Sequence, residues 1–169
     1  MITLVAAKSK NGVIGKGSGL PWHIPAELKF FKRETLGSAV VMGRKSWDSF
    51  PFKPLKDRLN IVLSRANFLD VPDGVETCGT PQEALIIARK LGFTRISIIG
   101  GEQIFREYVD IADRIILTEV DMEVDDGDAF FPEIDTSDWN IIESGTITDE
   151  PHKCVWLEYM RTKTIQENA

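Results

Sequence analysis

The sequence predicts an α/β fold in which a mostly parallel sheet is covered by helices on both faces and closed at one edge by an antiparallel hairpin. Two patterns point to it. Short β-branched runs alternate with helical stretches over most of the chain, which is the signature of parallel strands joined by crossover helices. After Pro132 the alternation stops, and WNIIESGTI (139–147) and KCVWLEYMR (153–161) read as two long strands joined by a short turn near Asp149–Pro151. In order, the earlier strands are expected at ITLVAA (2–7), AVVMG (39–43), LNIVLS (59–64), ISIIG (96–100) and RIILTEV (114–120). Helices are expected over 25–36, 44–50, 81–92 and 102–109, with Pro25 suited to a first helical position because its missing N–H would go unpaired there. No repeat, low-complexity segment or linker interrupts the pattern, so residues 1–162 are read as one domain and 163–169 as a polar C-terminal tail.

Composition excludes several function classes. At 169 residues the chain is long enough to bury about two-thirds of its surface without disulfide or metal staples. Cys78 and Cys154 show no CxxC or Cys/His spacing, which points to reduced cytosolic thiols and no structural metal. MITLVAAKSKNG has only a short apolar run and no basic lead-in, so it reads as a first strand rather than a signal peptide. No apolar run approaches the ~20 residues a membrane span needs. The net charge of −6 is unevenly spread: residues 29–65 hold nine Lys/Arg against three acids, while residues 119–150 hold twelve acids and no Lys or Arg. An acidic chain is a poor partner for nucleic acid, but a basic first half suits a small anionic ligand.

The unusual chemistry lies at strand-to-helix junctions, where ligands of open α/β sheets bind. The first, KSKNGVIGKGSGLPWHI (8–24), carries Gly12, Gly15, Gly17 and Gly19 and is expected to be a structureless, mobile lid. It is not a Walker loop, because no G-K-[ST] opens a helix. In the second, VVMGRKSWDSF (40–50), Gly43 is followed by Arg44, Lys45 and Ser46 at a helix start, offering free N–H groups, two cations and a hydroxyl to a phosphate. The third, SIIGGEQIF (97–105), places Gly100–Gly101 before a helix, as either an approach point for a ligand or a plain tight turn. A fourth strand end contributes Ser64 and Arg65. Several phosphate-friendly ends together suggest a cofactor with more than one anionic group.

Within LPWHIPAELKFFKRET (20–35), winding at 100° per residue puts Ile24, Leu28, Phe31 and Thr35 on one apolar stripe, with Lys29 and Arg33 opposite and Glu27 at the stripe's edge. Glu27 reads either as a helix-dipole acid or as the reagent of an active site. DMEVDDGD (121–128) fails as a calcium loop, since Asp126 occupies the required glycine position and Pro132 that of the bidentate glutamate.

These pieces, AA at 6–7, LPW at 20–22, PAELKFFKRET at 25–35, VVMGRKSW at 40–47, NIVLSR at 60–65, SIIGGEQIF at 97–105 and LTEVD at 117–121, run in order from Met1 to about Arg161 and resemble dihydrofolate reductase of the bacterial type. The resemblance implies a central eight-stranded, mostly parallel sheet flanked by four helices. It implies NADPH-dependent reduction of 7,8-dihydrofolate to tetrahydrofolate, with hydride going to pterin C6 and a proton to N5, for one-carbon and thymidylate metabolism. It further implies a cytoplasmic monomer whose partners are dihydrofolate and antifolate inhibitors.

Residue by residue, the resemblance makes Glu27 the one ionisable group of the pterin pocket, where bacterial members more often carry aspartate. Burial is expected to raise its pKa, against hydrogen bonds to its ionised form. Trp22 and Leu20 join it at the catalytic end. Val5, Leu28, Phe31, Phe50, Leu55 and Ile99 correspond to the pocket wall, Arg58 and neighbouring Lys32 to the groups facing the substrate's glutamate, and Thr118 to the hydroxyl beside the carboxylate. For the cofactor, Ala7 and Ile14 with Leu20 fall at the nicotinamide half. Gly43, Arg44, Lys45 and Ser46, then Leu63, Ser64 and Arg65, and then Gly100, Gly101, Gln103, Ile104 and Phe105, fall along the phosphates. Arg44, Ser64 and Arg65 would meet the 2′-phosphate; Gln103 lacks a charge often found at its place and Arg65 adds one. The Gly100–Gly101 peptide is expected to be cis, and Asp128 to accept N–H bonds from the lid.

Two other readings compete. A ribosylaminopyrimidine reductase of related fold would need basic groups where the Phe31/Leu55/Arg58 slot stands. A non-catalytic NADPH- or pterin-binding module would have no use for Glu27, Trp22 and the lid together. A phospho-receiver fold does not fit, because the first strand ends in Ala6-Ala7-Lys8 rather than paired acids.

Overall fold

In a computed structural model, which describes residues 1–66 and 70–162, fourteen elements follow in order. They are β1 (Ile2–Ser9), β2 (Val13–Gly15), α1 (Pro25–Thr35), β3 (Ala39–Gly43), α2 (Arg44–Ser49), β4 (Leu59–Leu63), β5 (Val75–Cys78), α3 (Pro81–Lys90), β6 (Ile96–Ile98), α4 (Glu102–Tyr108), β7 (Arg114–Val120), β8 (Ala129–Phe130), β9 (Trp139–Thr148) and β10 (Cys154–Arg161). Eight strands form one sheet in the order β5-β4-β3-β6-β1-β7-β10-β9, while β2 and β8 pair separately. Only β10 opposes its neighbours, since β9 runs antiparallel to β10 and so shares the direction of the rest. The predicted tail, 163–169, lies outside the described residues.

Strand alternation distributes the core. Leu4, Val41, Ile61, Ile98, Ile115 and Leu117 point to the face covered by α3 and α4, where they pack with Ala84, Ala88, Phe105 and Tyr108. Their neighbours Val5, Val40, Met42, Val62 and Ile116 point to the other face, which Phe30 of α1 and Trp47 of α2 cover. Thr118 has the parity of Ile116, so its hydroxyl is delivered to the α1 side.

The four helices and seven of the eight sheet strands coincide with the predicted elements, with two corrections of extent. β1 runs on to Ser9, and β6 stops at Ile98, where the chain peels away toward Gly100. β5 has no predicted counterpart: VETC is four residues long, half-buried at the sheet edge, and contains a glutamate and a threonine in place of an apolar run. The lid is also not structureless, because β2 pairs with β8 and Lys16 bridges Gly19.

The buried face of α1 differs from the predicted stripe. Ile24, Glu27, Phe30 and Thr35 are buried, Phe31 is half-buried, and Leu28 is 43% exposed. At 100° per residue this turns the buried face by roughly 60° toward Glu27 and Phe30. The stripe is split because two surfaces claim it: the sheet takes Phe30, against Trp156 at 5.9 Å, and a cleft takes Leu28 and Phe31. Arg33, expected to point away, lies over the Phe30 ring at 4.9 Å. Phe30→Ala should therefore cost about 3–5 kcal/mol in urea unfolding, whereas Leu28→Ala should stay below about 1 kcal/mol despite its place on the predicted stripe.

Candidate active site

The cleft lies on the α1 and α2 side of the sheet, at the carboxyl ends of the central strands. Its floor is Val5 of β1 and its walls are Phe31 on one side and Phe50 and Leu55 on the other. Ile99 packs against both groups and joins them into one surface. Leu28 stands exposed at the rim. At the closed end, Trp22 and Ile24 pack with Val120 and Cys154, and Ala7 lies against them.

Glu27 is the buried charge of this cleft, 5% exposed on the first turns of α1. Its pKa rises from an ordinary 4.5 to about 7 because burial removes water from the carboxylate, while the Thr118 hydroxyl pulls it partway back. The buried Cys154 feels the Glu27 charge, which together with burial pushes its own thiol pKa up. Sequence reading missed this neighbour, since nothing in the spacing of residues 27 and 154 links them. The Trp22 indole N–H is buried and has no acceptor among the described residues, so it is a donor able to serve a bound molecule.

At the open end, Arg58 is half-buried and turned inward. Its Nη1 donates to the Thr35 hydroxyl at 3.0 Å and its Nε to the Lys56 carbonyl at 3.0 Å. Burial lowers its pKa from the ordinary guanidinium value. Asn60, buried, ties the 55–58 turn in place by bonds to Leu55 and Arg58 backbone at 2.8–3.1 Å. Lys32 remains exposed. Lys53 is turned back onto the Trp47 and Asp48 carbonyls at 3.1 and 3.3 Å, where it closes the end of α2.

The strand ends beside the cleft show where a phosphorylated group fits. α3 satisfies its own first turn with a capping box between Thr80 and Glu83. α2 and α4 have no side-chain cap, so their opening N–H groups stay available, and Arg44, Lys45 and Ser46 sit on the first of them. Between them the Gly100–Gly101 peptide is cis, and the Gly43 N–H donates to the Gly100 carbonyl at 2.8 Å. A Cβ on Gly100 would stand 3.0 Å from the Phe105 ring and φ there is +109°, so only glycine is accommodated. The side chains of Leu63, Ile104 and Phe105 are largely buried, and those of Ile104 and Phe105 stand against Gly43 and Gly100 at the strand ends. Gln103 lies along α4, bonded to Glu107 at 3.2 Å. Ser64 stands at the end of β4 with its hydroxyl accepting from the Ala66 N–H at 3.1 Å, and Arg65 beside it is exposed.

The lid is fastened along the acidic segment. Asp128 accepts the Gly17 N–H at 2.9 Å and donates its own N–H to the Gly15 carbonyl. Lys10 pairs with Asp121 at 2.5 Å and Lys16 with Asp126 at 2.6 Å. Leu20 is 47% exposed at the lid's far end, and Ile14 is half-buried in β2. Glu102, missed by sequence reading, fastens β8 to α4 by accepting the Phe130 N–H at 2.9 Å, which lowers its pKa. Among the described residues no group of His, Cys, Asp and Glu could hold a metal ion, and no helix is long and apolar enough to cross a membrane.

A parallel sheet with uncapped, glycine-opened helices at its strand ends, facing a cleft that holds one buried carboxyl, defines an α/β enzyme acting on a small molecule beside a nucleotide. A family model described as dihydrofolate reductase matches residues 1–161. The dihydrofolate reductases of Neisseria meningitidis serogroup B and Neisseria gonorrhoeae are 41% and 46% identical over 163 and 143 residues, covering 95% and 84% of this chain and 98% and 85% of theirs. A solved structure of dihydrofolate reductase from Enterococcus faecalis, complexed with NADP(H) and RAB-propyl, matches with a TM-score of 0.86 at 32% identity, over 96% of this chain and 97% of its own. The chain belongs to the dihydrofolate reductase family.

Glu27 makes stability pH-dependent. Between its ordinary value and about 7, the folded chain keeps a proton that the unfolded chain has released, so stability falls as pH rises through that window. Relative to Glu27→Gln, the ligand-free parent should lose roughly 2–3 kcal/mol between pH 4.5 and pH 8. Urea denaturation of both proteins across that range measures it, and parallel curves would contradict a raised Glu27.

Proposed function

We propose that this cleft binds 7,8-dihydrofolate with its pterin on Glu27 and its glutamate on Arg58, and reduces it to tetrahydrofolate with NADPH. The observation that carries the reading is the buried carboxyl with a raised pKa, on the side of the sheet where Val5, Phe31 and Ile99 pack. A pterin presents a 2-amino group and a ring N–H side by side, and a carboxylate accepts both. Those two bonds favour the ionised form, so substrate binding reverses the effect of burial on Glu27. The Thr118 hydroxyl orients the carboxylate from the strand side.

Val5, Phe31, Phe50, Leu55 and Ile99 hold the rings and exclude water. Glu27 meets the amino edge of the pterin, remote from N5. Its part is therefore to fix and polarise the ring, while the N5 proton arrives by water at the closed end, where the Trp22 indole N–H is free and Leu20 borders the entry.

NADPH, when bound, supplies the hydride. For its phosphates the chain offers the opening N–H groups of α2 and α4, with Gly43, Lys45, Ser46 and Gly101, and for its 2′-phosphate Arg44, Ser64 and Arg65. Ala7 and Ile14 border the nicotinamide end, with Asp128 holding the lid across it. The chain functions as a single domain and a cytoplasmic monomer. The β9 edge supports that reading: its pairing with β10 is broken by register shifts, which blunt a strand against edge-to-edge association.

Loss of absorbance at 340 nm with dihydrofolate and NADPH tests the activity, and NADPH binding without turnover would return the protein to a binding module. Glu27→Gln should lower hydride transfer about 100-fold or more at neutral pH and less at acidic pH, where the substrate arrives protonated; a pH-independent loss would remove the role assigned to Glu27. Arg44→Ala and Arg65→Ala should each weaken NADPH about tenfold while leaving NADH nearly unchanged, as read by fluorescence titration.

A further inference from the structure

We infer that Thr35 is a positioning residue for the substrate's carboxylate tail, acting through Arg58. The inference rests on the assignment of Arg58 to that carboxylate. Thr35 is the last residue of α1, is fully buried, and makes bonds of fixed sense on two sides. Its hydroxyl donates to the Phe31 carbonyl at 2.9 Å, one turn back in its own helix. With its only hydrogen committed there, the oxygen is free to accept, and it takes the Arg58 Nη1 hydrogen at 3.0 Å.

The bonding pattern decides how Arg58 is presented. A guanidinium has five N–H donors in a planar fork. The Lys56 carbonyl takes the Nε hydrogen and Thr35 takes one Nη1 hydrogen, which leaves the other Nη1 hydrogen and both on Nη2. The side-on pair, Nε with Nη2, is then closed to a carboxylate, and the plane in which the remaining hydrogens are presented is fixed by two anchors on different elements. Backbone bonds hold those anchors together: the Gly37 N–H, just beyond α1, donates to the Asp57 carbonyl at 2.9 Å, and Asp57 itself sits at φ +60°, in the left-handed region, between Lys56 and Arg58. α1 thus sets the attitude of Arg58 at its last turn and holds Glu27 on its first turns.

The test compares two substrates, dihydrofolate and a 6-alkyl-7,8-dihydropterin that lacks the benzoylglutamate. Thr35→Val keeps the shape and removes the acceptor; it should raise KM for dihydrofolate about tenfold with kcat within about twofold, and leave kcat/KM for the short pterin unchanged. Thr35→Ser, which restores the hydroxyl, should return dihydrofolate KM to near the parent value. In an Arg58→Leu background, Thr35→Val should add nothing further, because the two act as one unit. Equal losses on both substrates in Thr35→Val, or an unchanged dihydrofolate KM, would overturn the inference while leaving the reductase reading intact. A parent protein inactive on both substrates would overturn the reductase reading itself.

Discussion

The constraint on which the structure turns is a carboxyl held out of water. An ionised carboxylate is costly to bury without several donors, and Glu27 is offset by only the Thr118 hydroxyl, so the free protein keeps it partly protonated at neutral pH. The fold is arranged so that this position can exist at all. Alternation along β7 brings Thr118 to the same face as Ile116, and α1 is seated by Phe30 and Ile24 on either side of the acid, which leaves Glu27 only 5% exposed. The apolar packing on its flanks therefore maintains a demand for hydrogen-bond donors.

That demand is met along a ruler. Glu27 and Thr35 are eight residues apart on one helix, about 12 Å at 1.5 Å per residue, and the second of them orients Arg58. A rigid rod thus spaces the buried carboxyl and the hydroxyl that anchors Arg58. Across the cleft the sheet provides the complementary arrangement. α2 and α4 begin where β3 and β6 end, and because those strands lie side by side, their uncapped N-termini converge on Gly43 and Gly100, one hydrogen bond apart. α3, which begins beyond the edge strand β5, carries its own capping box.

Much of this was legible before any coordinates. Strands of continuous β-branched residues and a helix opening at Pro25 announce themselves, because burial on both faces and terminal N–H groups leave compositional marks. β5 left none, since an edge strand half in water keeps Glu76 and Thr77. The α1 stripe was misplaced by the width of one position because periodicity reports what is apolar, not which of two surfaces claims it, and Leu28 and Phe31 are apolar for the cleft's sake. Pairings such as Cys154 with Glu27, or Glu102 with the Phe130 N–H, depend on contacts between distant segments and have no local signal.

The lid shows how the uneven charge of the chain is used. Its ion pairs, Lys10 with Asp121 and Lys16 with Asp126, are short but largely exposed. Pairs of that kind contribute little to stability and are screened by salt. What fixes the lid's register is backbone: the Phe131 and Asp128 N–H groups reach the Gly12 and Gly15 carbonyls, and the Asp128 carboxylate takes the Gly17 N–H. A Cβ on Gly127 would fall 2.3 Å from the Val13 side chain, so the two segments close only because that position is glycine. The acidic run, which fails as a calcium loop, is thus a seat shaped by backbone and biased by charge. A segment held this way opens at less cost than the buried central strands of the sheet beneath it.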